Sequence, residues 1–232
     1  MSNNVANNQN LILVGGGGHC KSILDTLIRI NLYDNICILD PEVHPGTKLL
    51  DYATVIGGDE LLVSLYEEGE RQAFIAVGSI KSSLVRSKLY DSIVDIGFSS
   101  PNIIDPSAVI SSSASLGLEQ DEEHKGAGIF VGKGVIVNAD ASIERCAIIN
   151  TSAVIEHECQ VGAFTHISVN VTLCGQVTVG DHSFIGAGST VIQGIEIGSN
   201  VTIGAGSLIL RDVKDGEKVT GIVKERRHSC AF

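Results

Sequence analysis

Residues 131–214 read VGKGVIVNADASIERCAIINTSAVIEHECQVGAFTHISVNVTLCGQVTVGDHSFIGAGSTVIQGIEIGSNVTIGAGSLILRDVK, and their spacing decides the fold. Steps of six from Val131 land on Val137, Ile143, Ile149, Ile155, Val161, Ile167, Leu173, Val179, Ile185, Val191, Ile197, Ile203 and Ile209, all aliphatic. In a chain that is 44% hydrophobic, fourteen such agreements have a chance probability of roughly 10⁻⁵. Four residues after each aliphatic stands a small or β-branched residue, as at Val135, Ala141, Ala147, Ala153, Cys159 and Thr165. Glycine often follows the aliphatic directly, as at Gly132, Gly162, Gly180, Gly186, Gly198 and Gly204. A strict period of six with this much glycine and β-branching does not suit an α-helix, but it suits short strands joined by tight corners. A β-sandwich would instead need alternation of period two and turns every ~8–12 residues. The reading is a parallel β-helix. Ile104, Ala108, Ile110, Ala114 and Leu116 repeat the spacing upstream, and the acidic insertion at residues 118–125 shifts the register before Val131.

The rest of the 232-residue chain bounds the function. No apolar run reaches the ~18 residues of a membrane span, and MSNNVANNQN lacks the basic and then apolar pattern of a secretory signal; the expectation is a cytoplasmic protein with no membrane partner. Six widely spaced cysteines without a CxxC pair indicate neither a zinc knuckle nor a disulfide framework. A net charge of −11 argues against nucleic acid, whose phosphates are bound by clustered Lys and Arg. A single small phosphorylated ligand remains compatible, since glycine-rich backbone binds such groups.

Residues 10–100 follow another pattern. Leu11 to Val14 is an apolar run ending in Gly15-Gly16-Gly17-Gly18-His19, after which Ile23, Leu24, Leu27 and Ile28 recur at helical spacing. A second strand, Ile36 to Leu39, ends at Asp40. Asp59 is expected to cap a helix through Leu61, Leu62 and Leu65. Phe74 to Val77 forms a third strand, and a helix from about Lys81 stops at Gly97. Alternating strands and helices imply a Rossmann-like α/β domain, with ligands at the carboxyl ends of its strands. The expected division is a disordered N-terminus over 1–9, the α/β domain over 10–100, the β-helix over 101–220 and a tail over 221–232.

On the β-helix, Ile149 to Cys174 is the candidate site. His157 lies between the inward positions Ile155 and Cys159, flanked by Glu156 and Glu158, so its side chain should point outward near a corner. Neutral imidazole is a natural general base near pH 7, and an adjacent carboxylate fixes its tautomer and raises its basicity. Were each coil to hold three hexapeptides, Ala139 and Gly175, 18 residues before and after, would stack beside it, and both are small. A solvated corner histidine is the plainer alternative on position alone. Likewise a tight turn needing bare backbone competes with a nucleotide-sugar pocket at the glycine loop, because the full GxGxxG fingerprint with a downstream acid is lacking.

Taken whole, the glycine loop with His19, the strand ending at Asp40, and Asn150-Thr151-Ser152 through Glu156-His157-Glu158 to His166 resemble the bacterial hexapeptide-repeat sugar-nucleotide acetyltransferases. These include the N-acetyltransferases of the bacillosamine and perosamine pathways and the related sialic acid O-acetyltransferases. The resemblance implies a left-handed β-helix with three hexapeptides per coil, acetyl-CoA as cosubstrate, no metal, and homotrimers with active sites between subunits. It implies that His157 is the base, that Glu158 tunes it, and that Asn150 lies by the site. His166 is implied at acetyl-CoA, with Gly175, Ala187 and Ala205 along the CoA groove, while Gly18, His19, Cys20, Asp40 and Pro41 hold the nucleotide-sugar. The implied activity is N-acetylation of a UDP-, GDP- or dTDP-linked 4-amino-4,6-dideoxy sugar for bacterial glycan synthesis; the alternatives are sialic acid O-acetylation and a non-catalytic β-helix scaffold. A zinc hydrolase would need His157, His166 and His182 to converge, and their separations of 9 and 16 residues do not match an 18-residue coil. The family's closing Gly-x-Pro-Ala-Lys stretch is replaced here by Gly221-Ile222-Val223-Lys224-Glu225-Arg226-Arg227.

Overall fold

The computed structural model describes residues 9–78, 83–117 and 127–224. The expectations placed on residues 1–8, on Lys81, on the acidic insertion and on Arg226 and Arg227 lie outside that set. The described residues pack as two units, one from 9–78 with 84–106 and 127–128, the other from 83, 107–117 and 129–224.

The first unit carries β1 (Asn10–Val14), α1 (Gly18–Ile30), β2 (Asn35–Leu39), β3 (Lys48–Leu49), β4 (Ala53–Gly57), α2 (Leu62–Glu67), β5 (Ala73–Ile75) and α3 (Leu84–Ile96). Its sheet has the order β3-β4-β2-β1-β5, parallel except for β3. Leu11, Ile12, Leu13 and Val14 are all buried, as befits a central parallel strand covered on both faces. The order reverses at β1, whose neighbours are β2 and β5, so the crevice at their carboxyl ends is where such sheets bind ligands. Strand β4 was not expected from the sequence, because the alternation in Ala53-Thr54-Val55-Ile56 is too short to stand out. The helix cap at Asp59 needs correction. Asp59 begins a 3₁₀ turn whose N-cap is Gly58, and its side chain makes no capping bond; Glu60 instead accepts the Gly58 N–H at 3.1 Å. Gly97 ends α3 as expected, with φ of 109° and with its own N–H and that of Phe98 donating to Ile93 O at 3.2 and 2.9 Å.

The second unit is a parallel β-helix of two-residue strands. Successive coils are 18 residues apart: Val131 pairs with Ile149, Ile149 with Ile167, Ile167 with Ile185 and Ile185 with Ile203. The other two faces stack the same way through Ile155, Leu173, Val191 and Ile209, and through Ile143, Val161, Val179 and Ile197. All fourteen aliphatics of the six-residue count are buried to 2% exposure or less. Before Val131 the pairing offset is 27, as between Ile110 and Val137, nine more than a coil. At the other end, strand Ile222–Val223 pairs with Leu208–Ile209, so coiling continues through Val223.

The corners from Gly134 to Gly206 share one form of closure. Left-handed φ values recur every six residues at Gly134, Asp140, Cys146, Ser152, Glu158, Phe164, Asn170, Gln176, His182, Gly188, Gly194, Asn200 and Gly206. For a residue such as Glu or Phe that conformation costs on the order of 1–2 kcal/mol, offset here by bonds to the next coil. From Ser152 to Gly206 the N–H of each such residue donates to a carbonyl of the coil before it, as Glu158 to Ala139 O at 2.9 Å and Gln176 to His157 O at 2.9 Å, while Gly134 and Asp140 donate to the hydroxyls of Ser107 and Ser113 at 3.1 Å. The buried hydroxyls at the small inward positions are satisfied too: Thr165, Ser183 and Ser189 donate to the carbonyls of Gly180, Gly198 and Gly204 at 2.8, 2.8 and 3.1 Å.

Where coils approach closest, glycine is required by contact. A Cβ on Gly180 would lie 2.7 Å from Gly198 C and Ser199 N, both backbone atoms that cannot move independently of the coil. Gly180→Ala is expected to cost about 1–3 kcal/mol, read as a fall in Tm of roughly 3–10 °C by calorimetry. Gly188→Asn, at a left-handed position with open space around it, should leave Tm nearly unchanged.

Candidate active site

The corner after strand Val154–Ile155 is a tight turn, with Cys159 N–H donating to Glu156 O at 3.4 Å and Glu158 at φ of 59°. That turn projects His157 and Glu158 outward together; their side chains are 57% and 53% exposed. His157 Nδ1 lies 3.1 Å from Glu158 Oε2. A carboxylate there accepts a hydrogen bond from Nδ1–H, which leaves Nε2 as the nitrogen with a free lone pair. The face of the ring is fixed by Gly175, one coil on: a Cβ at that position would come within 2.5 Å of His157 Cε1 and Nε2. The small neighbour anticipated from the 18-residue offset is therefore present, but the space it leaves is taken by the imidazole itself. Among the described residues no acceptor engages the Gly175 N–H. Beneath the corner, burial first of all raises the Cys159 thiol to about 11, and the thiol donates to Cys174 O at 3.1 Å, so it is a packed structural group.

A second constellation occupies a different edge of the prism. Asn150 follows strand Ile148–Ile149, and its side-chain nitrogen lies 3.3 Å from His166 Nε2. Its Oδ1 accepts the Thr151 N–H at 2.8 Å, which fixes the amide. His166 is 6% exposed and packs edge-on against Phe184 at 5.3 Å. Ala187 and Ala205 lie on the same edge, stacked 18 apart and exposed. Asn150, His166, Ala187 and Ala205 are thus grouped, while His157, Glu158 and Gly175 form a separate group. His182 is elsewhere again, 2.7 Å from Ser83 Oγ and stacked on Phe164 at 5.2 Å, so the three histidines do not converge.

In the first unit, Gly16 N–H donates to Asp40 Oδ2 at 2.6 Å and Glu42 N–H to Oδ1 at 2.8 Å. Asp40 therefore braces the glycine loop, a role the sequence did not reveal, and keeps one further lone pair on each oxygen. Helix α1 has Gly17 as N-cap, no side-chain cap and no acid in its first turn. Gly17 and Gly18 are exposed, with nothing within 4 Å of a would-be Cβ. Beyond the Gly16 N–H held by Asp40, that leaves an open helix N-terminus at Gly17 and Gly18 of the kind that binds phosphate. Pro41 is exposed beside it and His19 half-buried. Cys20 is fully buried; its thiol is raised to about 12, by burial and then by the Asp40 charge, which leaves only its main chain available to a ligand. Asp59 is raised as well, by burial and then by Asp40 and Glu60.

Residues 10–93 match the family model described as PglD N-terminal domain, and residues 176–211 match the hexapeptide repeat of succinyl-transferase. Over 91% of this chain and 93% of the other, the fold matches a mutant GDP-perosamine N-acetyl transferase from Caulobacter crescentus, solved with CoA and GDP-perosamine, at 36% identity and a TM-score of 0.81. The acetyltransferase domain of PglB from Neisseria gonorrhoeae FA1090, in complex with acetyl coenzyme A, matches over 92% and 97% at 32% identity and a TM-score of 0.81. The fold and site define an acyltransferase built on a left-handed parallel β-helix behind an α/β domain. The chain belongs to the hexapeptide-repeat family of nucleotide-sugar acetyltransferases that includes these two proteins.

The contact at Gly175 falls on a side chain and not on backbone. The three atoms nearest a methyl there all belong to the exposed His157 ring, which is expected to swing away at small cost to the fold. Gly175→Ala should leave Tm within about 2 °C while lowering turnover on the order of 10²-fold, measured by acetyl transfer beside thermal unfolding.

Proposed function

We propose that this chain transfers the acetyl group of acetyl-CoA to the amino group of a nucleotide-linked 4-amino-4,6-dideoxy sugar, by direct attack with His157 as general base. The observation that carries this reading is the imidazole whose Nδ1 is held by Glu158 and whose Nε2 is left open above Gly175. His157 Nε2 takes the proton as the sugar nitrogen forms its bond to the acetyl carbon. The Glu158 carboxylate stabilises the resulting imidazolium. The Gly175 N–H, without an acceptor of its own, donates to the oxyanion of the tetrahedral intermediate. When the carbon–sulfur bond breaks, the proton held by His157 is available to the departing thiolate, so atoms and charges balance without an acetyl-enzyme.

The substrate class rests on the first unit and on the relatives. A bare helix N-terminus behind Gly15 to Gly18 offers backbone N–H groups to a diphosphate, while Asp40, beside Pro41, has lone pairs left for ribose or base. The two relatives named above were solved with GDP-perosamine and with acetyl coenzyme A. Among the described residues no helix is long and apolar enough to cross a membrane, and the substrates of this reading are cytoplasmic metabolites.

We further infer a homotrimer with active sites between subunits. The residues implied at CoA divide between two edges of one prism, Gly175 on one and His166, Ala187 and Ala205 on the other. The face between those edges carries Val109, Ile136 and Ile222 at 65%, 38% and 67% exposure, with Val154 and Leu208 half-buried in the same outward ladder. The ladder runs Val109, Ile136, Val154, Thr172, Thr190, Leu208 and Ile222, β-branched or aliphatic throughout with two threonines at its middle, and such a flat, weakly polar face is suited to burial against another copy.

His157→Ala should lower kcat by ~10²-fold or more in CoA release with the preferred amino-sugar nucleotide. An unchanged kcat would remove His157 as the base. Comparing UDP-, GDP- and dTDP-4-amino sugars with a sialic acid acceptor tests the substrate class; acetylation of the sialic acid alone would contradict it.

A further inference from the structure

Gln176 stands one coil beyond Glu158, in the same column of left-handed corner residues, at φ of 62° against 59°. Such columns keep their side chains in register, as the neighbouring one shows: Phe164 and His182, also 18 apart, stack with an interplanar angle of 2°. In the Glu158 column the upper residue reaches down. Gln176 Nε2 donates to Glu158 Oε2 at 3.1 Å, the oxygen that also faces His157 Nδ1 at 3.1 Å. The main chain ties the same two corners, with Gln176 N–H donating to His157 O at 2.9 Å.

We propose that Gln176 is a positioning residue for the acyl transfer, acting through Glu158 on the tautomer and orientation of His157; this rests on the reading of His157 as the base. The physical need follows from exposure. Glu158 is 53% exposed, and a solvated glutamate has several rotamers of comparable energy, of which few place a carboxylate oxygen on Nδ1. A donor fixed on the adjacent coil selects the rotamer that does. An amide suits the task because it is a neutral donor. It restrains the carboxylate without cancelling its charge, which stays available to the imidazolium. A lysine or arginine there would hold Glu158 but compete with His157 for it.

The arrangement also explains why the oxygen is shared. Two N–H donors converge on Oε2, which leaves Oε1 to solvent and gives the carboxylate a defined plane. Gln176 touches neither reacting atom. Its effect should therefore fall on kcat and leave KM for both substrates in place, unlike a loss of binding or of local folding.

The test is a double-mutant cycle on the full chain. Gln176→Met keeps length and removes the donor; it is expected to lower kcat about 3–10-fold, with KM for acetyl-CoA and for the sugar nucleotide and Tm little changed. Made in a Glu158→Ala background, the same change should have no further effect on kcat. Equal losses in both backgrounds, or a loss confined to KM or Tm, would overturn the role given to Gln176. His157→Ala, run alongside, separates the two levels: if it leaves kcat intact the base assignment fails, whereas a large loss there with an inert Gln176→Met removes Gln176 alone.

Discussion

The constraint on which the rest depends is the closure of the central β-helix corners, from Ser152 to Gly206, by a left-handed residue whose N–H is caught by the coil before it. The interval is six residues from Gly134 to Gly206, and it holds whether the position is glycine, asparagine, glutamate or phenylalanine. Because the corner is imposed by the stack, a side chain placed there inherits a direction fixed by the whole prism. Glu158 is such a residue. Its backbone is held to Ala139 and its preceding residue to Gln176, so the His157–Glu158 pair sits on a rigid element although both side chains are about half exposed. Rigid support of this kind is what a catalytic group needs.

Glycine has two separate functions in this frame. At Gly180 it lets backbone pass backbone, and the contact is a matter of folding. At Gly175 it lets an imidazole lie against the next coil, and on the proposed function the contact is a matter of chemistry. The two look alike in sequence, each one residue of a repeat, and only the identity of the atom met by the missing Cβ distinguishes them.

Much of this was legible beforehand, for physical reasons. The inward aliphatics obey a strict period because a closed coil has little alternative packing, so the β-helix and its six-residue step could be counted directly, whereas the 18-residue offset, and with it the Gly175 neighbour of His157, came from the family resemblance. Strand β4 was not legible, since five residues with two inward positions carry little pattern. Nor was the bracing of Gly16 by Asp40, which joins residues 24 apart across a strand end. Asp59 resembled a helix cap in sequence, but the turn begins with Gly58 and Glu60 instead. Gln176 was missed although the 18-residue offset that pointed from His157 to Gly175 points equally from Glu158 to Gln176. The departure at Gly221-Ile222-Val223-Lys224 is in part accounted for, because Ile222–Val223 extends the stack as a strand.

The central claim is that coil stacking presents His157 Nε2 as the acceptor of the substrate proton. A crystal structure of the enzyme with CoA and an amino-sugar nucleotide measures this directly. The sugar nitrogen should lie within about 3.2 Å of His157 Nε2, with Nδ1 still on Glu158. A nitrogen well outside hydrogen-bond reach of Nε2, or an imidazole turned so that Nδ1 faces the substrate, would contradict the account.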